Sequence, residues 1–600
     1  MSAVLDWLDQ RTGLRQITRA ALFENIPGGA RWRYVWGSTV VFALGVQFLT
    51  GVFLWMGYSP SAQTAWESVF YLQEQTTGGW LLRGLHHYTA QVLPVLLVLH
   101  LLQVVVDGAY KAPREVNFWF GVVLAHLVLA LSLTGYLLPW DQTGFWATRV
   151  STNITGVVPV LGPAIQKLLV GGPDYGHLTL TRFFALHAGV LPATLVVLTV
   201  GHIYLFRRHG ITAKEPRRRP DAAFWPDQVL RDAVACLAVL GAVLFLIVRH
   251  RLFSGHGPLG AELGAPANPA EPFDAARPEW YFLFLFQFLK LFPSGGEIWG
   301  AVIIPGLVIG VVFLMPLLGR WRLGHRFNVA LAGALVAAAA LLTYLAWDGD
   351  RRNPDYQRAV AAAERDAARV KTLALSPARI PVGGALELLR SDPLTQGPKL
   401  FADQCAACHR YAGTDGLGRR PAPAQAASDL QGFGSREWLA LLLAPQGVAS
   451  TNRFGATKLR GGKMVKFVTE KVAHYSPERM AALRKVIAAV SAEAQLKSQA
   501  TADRRDAALI EEGRRLLRDE TGCTDCHQFR QKDEDATAPD LTGYGSREWL
   551  IRFISDPAAP EFYGERNDRM PSFGRQQILT EQQIGLIADW LRGDWYEPAP

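Results

Sequence analysis

Four histidines set in two long apolar runs carry the first chemical signal: His86 and His100 lie 14 residues apart, and His187 and His202 lie 15 apart. A helix turns 100° per residue, so the first pair falls within about 40° of one face and the second within about 60°. Along the axis, the members of each pair are separated by roughly 21 to 22 Å. Ionisable groups inside a membrane-crossing segment are costly and usually functional. Two helices running the same way, each with imidazoles at two matching depths, can clamp two iron porphyrins in a stack, because neutral imidazole is a standard axial ligand. Depth pairs His86 with His187 nearer the outer surface and His100 with His202 nearer the cytoplasmic one. His87, 13 residues from His100, points about 140° off that face and reads as a neighbour. His126 has no partner at this spacing and reads as a packing residue. Gly37 and Gly51 in one apolar run, and Gly121 and Gly135 in another, repeat the 14-residue interval. Glycine lets a flat ring approach the backbone closely.

Cysteine supplies the second signal. Cys405-Ala-Ala-Cys408-His409 and Cys523-Thr-Asp-Cys526-His527 are two C-x-x-C-H groups. In this pattern two thiols form thioethers with the haem vinyl groups, and the adjacent histidine becomes the proximal ligand. A redox dithiol or a zinc site would account for one C-x-x-C, but two copies each followed by histidine favour covalent haem. The sixth ligand is expected to be a downstream methionine. Met464, in Met464-Val-Lys-Phe467, is assigned to the first motif with Met480 as its rival, and Met570, in Met570-Pro-Ser-Phe573, to the second. The surroundings are duplicated as well: the eleven residues from Asp429 to Leu439 and from Asp540 to Leu550 differ at only two positions. The fifth cysteine, Cys236, stands alone in an apolar run and reads as core.

These groups must be positioned by helices. Seven runs reach the roughly 20 apolar residues a crossing needs: 34–57, 80–106, 116–139, 181–206, 229–249, 298–318 and 327–347. An eighth, 280–292, is too short and reads as an interfacial or re-entrant helix between Pro278 and Pro293. One alternating set of connections holds seventeen Lys and Arg and the other five; the link between the fourth and fifth spans, with Lys214, Arg217, Arg218 and Arg219, is the richest. That bias places the N-terminus in the cytoplasm and everything after Trp347 outside. No cleavable leader is evident, so the first span is expected to act as an uncleaved anchor. Half the residues are hydrophobic and 19% are charged, which excludes disordered, collagenous and disulfide-rich classes. The net charge of +9 sits in short loops, as membrane topology demands, and does not point to nucleic acid. The expected fold is all-α, a seven-span bundle followed by two small helical domains. Its parts are a cytoplasmic segment (1–33), a four-span di-haem bundle (34–210), a three-span part (211–347), a helical linker (348–396) and two haem c domains (397–495 and 505–600).

Across roughly residues 20–347 the sequence resembles cytochrome b of the quinol-oxidising cytochrome bc complexes. The four histidines, the glycine pairs, Gly135-Tyr136-Leu137-Leu138-Pro139-Trp140-Asp141-Gln142 and Pro278-Glu279-Trp280-Tyr281 carry the resemblance. It is closest to the plastoquinol-oxidising branch, whose four-span and three-span polypeptides are fused here through the 207–231 loop. The tail is similar to a tandem of class I cytochrome c domains. The photosynthetic branch carries a cysteine that tethers a further haem; Val35 stands there, so no third c-type haem is expected.

The resemblance implies a mechanism. Quinol is oxidised near the outer surface, with Glu279 accepting a proton and Tyr281 beside it. One electron passes to a Rieske iron–sulfur protein and the other through the two b haems to a cytoplasmic-side quinone site. Moving a unit charge across the membrane stores about 2.3 kcal/mol per 100 mV. Arg83 and Arg114 are candidates for haem propionates, and Arg207 and Asp232 for the cytoplasmic quinone. The chain is then expected to be the core of a quinol:cytochrome c oxidoreductase with two b and two c haems. It lies in a bacterial inner membrane as a homodimer, with its c domains periplasmic. Its partners are quinone, a separate Rieske protein (no Rieske motif is present in this chain), and a cytochrome c or terminal oxidase as acceptor. The alternative is a haem-containing anchor that passes quinol electrons outward without bifurcation; a non-catalytic electron-carrying scaffold is a third class.

Overall fold

Among the described residues, seven helices are long and apolar enough to cross a membrane: Trp32–Gly57, Gly79–Val106, Glu115–Tyr136, His177–His209, Asp227–Arg249, Trp299–Leu318 and Gly324–Arg352. They match the seven expected runs, and the short apolar helix is Trp280–Leu289. The computed structural model describes residues 2–212, 220–254, 259–421, 424–533 and 535–598. Lys214, Arg217, Arg218 and Arg219, part of the expected cytoplasmic charge, lie outside the described residues. The chain divides into two units, Met1–Ala368 with Val382–Leu386, and Arg369–Pro381 with Glu387–Pro600.

The spans of the first unit are helical, the form in which a chain can cross hydrocarbon with its backbone groups paired within the segment. Side chains such as Leu49, Val197 and Leu307 remain exposed, the face a bilayer covers. The first span packs on the second and the third on the fourth, while the fifth lies against the first two. Val40, Ala43, Leu93, Leu96, Val128 and Leu195 form a small apolar core among the first four spans. These residues lie about midway between the paired glycines or histidines of their own helices. The core therefore separates two levels of the bundle, that of His86 and His187 and that of His100 and His202.

Two structural departures hold functional residues. In the fourth span, Leu186–Val190 is a π-helical segment, and His187 lies in it. A π turn closes one residue later than an α turn and so absorbs an extra residue. The 15-residue interval between His187 and His202 is thereby brought to the register of the 14-residue interval in the second span. At the end of the bundle nearer His86 and His187, the Pro139–Gln142 turn is docked on the loop 264–268. Gln142 N–H donates to the Ala265 carbonyl (2.9 Å), and Ala267 N–H to the Trp140 carbonyl (2.9 Å). Asp141 caps the next helix through Gly144 N–H and also accepts from Gly264 N–H (3.1 Å). The three-span part is thus fastened to the four-span part at that end.

The second unit is built on six helices: α1 (Pro393–Gln404), α2 (Arg436–Leu442), α3 (Pro477–Glu493), α4 (Ala507–Asp519), α5 (Arg547–Ser555) and α6 (Glu581–Arg592). The repeats 397–495 and 505–600 are expected to fold one after the other, and the packing differs. α1 of the first repeat packs against α6 of the second, and α3 of the first packs against α4 of the second. The link between α3 and α4 carries a further short helix, Ala500–Arg505, and the two helices are neighbours. That leaves α1 and α6, the outermost helices, to pair with each other. The expected linker is helical over Pro354–Ala374 and Ala385–Arg390.

Candidate functional site

The four membrane histidines come together in two levels. The rings of His86 and His187 lie with centroids 6.2 Å apart and planes at 78°. Each expected glycine faces one imidazole. A methyl group built on Gly51 would sit 3.3 Å from Cε1 of His86, one on Gly37 3.5 Å from that of His100, and one on Gly121 3.3 Å from that of His202. At Gly135 it would sit only 2.5 Å from Cε1 of His187. Three of the rings are oriented through Nδ1. His86 meets the Thr50 hydroxyl (2.9 Å), His187 the Leu131 carbonyl (3.1 Å) and His202 the Asn117 carbonyl (3.0 Å). Nδ1 of His100 is buried without a hydrogen-bond partner. Thr50 and the two carbonyls were not singled out in the sequence. A backbone oxygen has no sequence signal, and a threonine four residues along a helix is too common to be one. His126 bonds the Val122 carbonyl of its own helix (2.7 Å), as a packing histidine does.

Glu279 precedes the short helix and lies beside Gln91 of the second span, and Tyr281 lies beside Ser132 of the third. Burial pushes the Glu279 carboxyl above its ordinary value. The other polar candidates are engaged by protein groups. Arg83 is buried, bonding Gln73 and the carbonyls of Ala261 (2.9 Å) and Glu262 (2.7 Å). It clasps the loop after the fifth span. Arg114 donates to the His209 carbonyl (2.8 Å) at the end of the fourth span, while its buried Nε has no partner. Arg207 pairs with Glu24. Asp232 is buried, accepting from Ser38 (2.7 Å) and Gln228 (2.8 Å). Cys236 sits beside the Ser38 carbonyl.

The two C-x-x-C-H groups share one local geometry. Each follows a helix, α1 or α4. The histidines donate Nδ1–H to a carbonyl, Ser428 for His409 (2.8 Å) and Pro539 for His527 (2.7 Å). Nε2 is left for a metal, the usual orienting arrangement for a ligand imidazole. Burial lowers the pKa of both imidazoles, favouring the neutral form that binds iron, and pushes the Cys405 thiol up to about 12. All four motif cysteines are free thiols. The methionines are not distributed in sequence order. Met570 and Cys405 pack on one apolar cluster with Phe401, Phe573 and Trp590. Met464 and Cys523 pack on another with Leu483 and Leu517. The expected pairing of Met464 with Cys405 and of Met570 with Cys523 therefore disagrees with the packing, because the helices carrying the motifs are exchanged between repeats. Met480 is 37% exposed on α3.

The family described as "Cytochrome b/b6/petB" matches residues 24–210, and that described as "Cytochrome b(C-terminal)/b6/petD" matches residues 266–363. Cytochrome b of Rhodobacter capsulatus is 31% identical over 316 residues, covering 51% of this chain and 71% of its own. This chain belongs to the cytochrome b family. The menaquinol:cytochrome c reductase cytochrome b subunit of Geobacillus thermodenitrificans is 40% identical over 220 residues, covering 35% of this chain and 98% of its own. Cytochrome b6 of Synechococcus sp. (strain JA-3-3Ab) is 38% identical over 212 residues, covering 35% and 99%. Both family matches end before the C-x-x-C-H motifs.

Membership in the cytochrome b family implies b-type haems and electron transport in a membrane, and the histidine levels suit such a group. A centroid separation of 6.2 Å between His86 and His187 leaves room for one metal bonded to both rings, at the roughly 2 Å usual for imidazole nitrogen. The glycines keep side chains away from the ring edges.

Proposed function

We propose that this cytochrome b family chain is the core of a quinol:cytochrome c oxidoreductase in a bacterial inner membrane, with His86 and His187 holding an outer b haem and His100 and His202 an inner one. The observation that carries this reading is the pair of histidine levels, each ring set against a glycine, with half-buried Glu279 beside Gln91 of the helix that carries His86. Bound haem supplies one-electron transfer along the axis those histidines mark. The protein's own groups do the rest. Quinol gives up two electrons and two protons at the outer end. The Glu279 carboxylate accepts one proton and releases it outside, the second proton passes to water at the same end, and Tyr281, beside Ser132, shapes the pocket. One electron leaves to a separate Rieske protein. The other is delivered to a quinone site at the cytoplasmic end, near Asp232 and Arg207, so that oxidation is coupled to proton translocation. Arg114, with its unpartnered buried Nε, is the better placed of the two arginines for a haem propionate, since the Arg83 guanidinium is already bonded to Gln73 and two loop carbonyls. The c-type motifs relay the high-potential electron to a cytochrome c or an oxidase, and the complex is a homodimer.

The test is quinol-dependent acceptor reduction by the purified complex, with pyridine haemochrome spectra giving equal b and c haem. Glu279→Gln should lower turnover by roughly 10²-fold, the lower end of general acid–base contributions. In the wild type, turnover should fall with decreasing pH at a midpoint above the ordinary carboxyl value of about 4.3, because only the ionised form accepts a proton. The variant should lose that limb. Full quinol-driven reduction of the c haems in membranes lacking any Rieske protein would instead establish a non-bifurcating anchor.

A further inference from the structure

We propose that the two c-type haem pockets are exchanged between the repeats: Cys405, Cys408 and His409 take Met570 as their sixth ligand, and Cys523, Cys526 and His527 take Met464. This rests on the reading that both motifs carry haem, and it assigns to each pocket residues from both repeats.

Three observations carry it. The first is the crossing of the motif-bearing helices. Gly397 on α1 is so close to Trp590 on α6 that no side chain fits. Its counterpart in the repeat, Gly513 on α4, presses on the Lys485 carbonyl of α3, where an added Cβ would also sit 2.9 Å from that of Ala489. Both glycines belong to the same Gly-x-x-Leu pattern ahead of a motif, Gly397 to Leu400 and Gly513 to Leu516. One interface is therefore made twice, each time between repeats. The second is the apolar packing already described, which puts Met570 with Cys405 and Met464 with Cys523.

The third is the place where the chain changes partners. The duplicated segments touch at Gly434 and Gly545, both at positive φ. A Cβ on Gly434 would lie 3.8 Å from the Cα of Gly545. Phe433 and Tyr544 meet beside them, with centroids 5.2 Å apart and planes tilted by 41°. Each segment is held by the helix that ends its repeat. Ser491 of α3 donates to the Gly434 carbonyl (2.9 Å), and Arg592 of α6 to the Gly545 carbonyl (2.8 Å). Residues from α2 to the second motif form one fold continuously. The other fold is assembled around it from the segment before Asp429 and the segment after Gly545. Lys458 and Asp568 join the two methionine-bearing loops (2.7 Å).

The experiment uses the full chain in its membrane complex and removes one attachment site at a time. In Cys405→Ala/Cys408→Ala only the second motif can bind haem covalently. There, Met464→Ala should convert the remaining c haem from a low-spin to a high-spin spectrum and lower its midpoint potential, because methionine ligation raises it. Met570→Ala should leave that spectrum as it was. In Cys523→Ala/Cys526→Ala the two results should be reversed. Met464→His and Met570→His guard against misfolding: each should keep a low-spin haem at lowered potential, and only at the motif in the opposite repeat. Dependence of either haem on the methionine of its own repeat, or on neither methionine, overturns the exchange. Covalent-haem staining of the wild-type chain separates the two levels of the argument, since absence of stain refutes the haem reading itself whatever the methionines do.

Discussion

Gly135 leaves no room for a methyl group. A Cβ there would meet Cε1 of His187 at 2.5 Å, whereas the equivalent contact from Gly37 to His100 is an ordinary 3.5 Å. The four glycines share a spacing and differ in how strictly they are required. Gly135→Ala should turn or push the His187 ring and lower outer b haem content or potential. Gly37→Ala should retain most of its inner haem, and redox titration of the α-band resolves the two. Equal loss in both variants would show that a factor other than imidazole crowding governs the sites. The polar candidates teach a related lesson at this scale. An arginine at a membrane edge was read as a propionate partner, but Arg83 is taken up by loop carbonyls. Nothing in its local sequence distinguishes a guanidinium that binds a ligand from one that fastens a loop.

Among the elements, the π-helical turn at Leu186–Val190 reconciles unequal histidine spacings in two helices that must present their rings at the same depths. Deleting Gly189, whose surroundings are open, should convert this turn to α-helix and keep both b haems, because the interval then becomes 14 residues. Deleting Val197 in the regular part of the same span should swing His202 by about 100° and lose the inner haem. Haem b per chain measures both outcomes, and loss on deletion of Gly189 would refute the assignment of the extra residue to that turn. The expected spans were legible because apolar length reports directly on a bilayer crossing. The π turn was not, since its sequence is as helical as its neighbours.

At the scale of the whole molecule, the second unit should behave as one cooperative body. A chain cleaved at a protease site introduced near Lys497, between α3 and α4, should keep its two pieces together in mild detergent. It should release the C-terminal piece only on denaturation, because α1 and α6 would still clasp each other and α3 would still hold α4. Free release of a haem-bearing C-terminal fragment would mean consecutive, independent domains. The sequence by itself determined the seven crossings, the two histidine levels and the two C-x-x-C-H motifs, since these follow from apolar length, helical register and short-range chemistry. Only the tertiary structure decided which methionine accompanies which motif and how the Pro139–Gln142 turn meets the 264–268 loop. The duplicated segments present nearly identical surfaces, so local pattern cannot say which copy fills which seat. The helix packing bears on it, with α3 against α4 and α1 against α6.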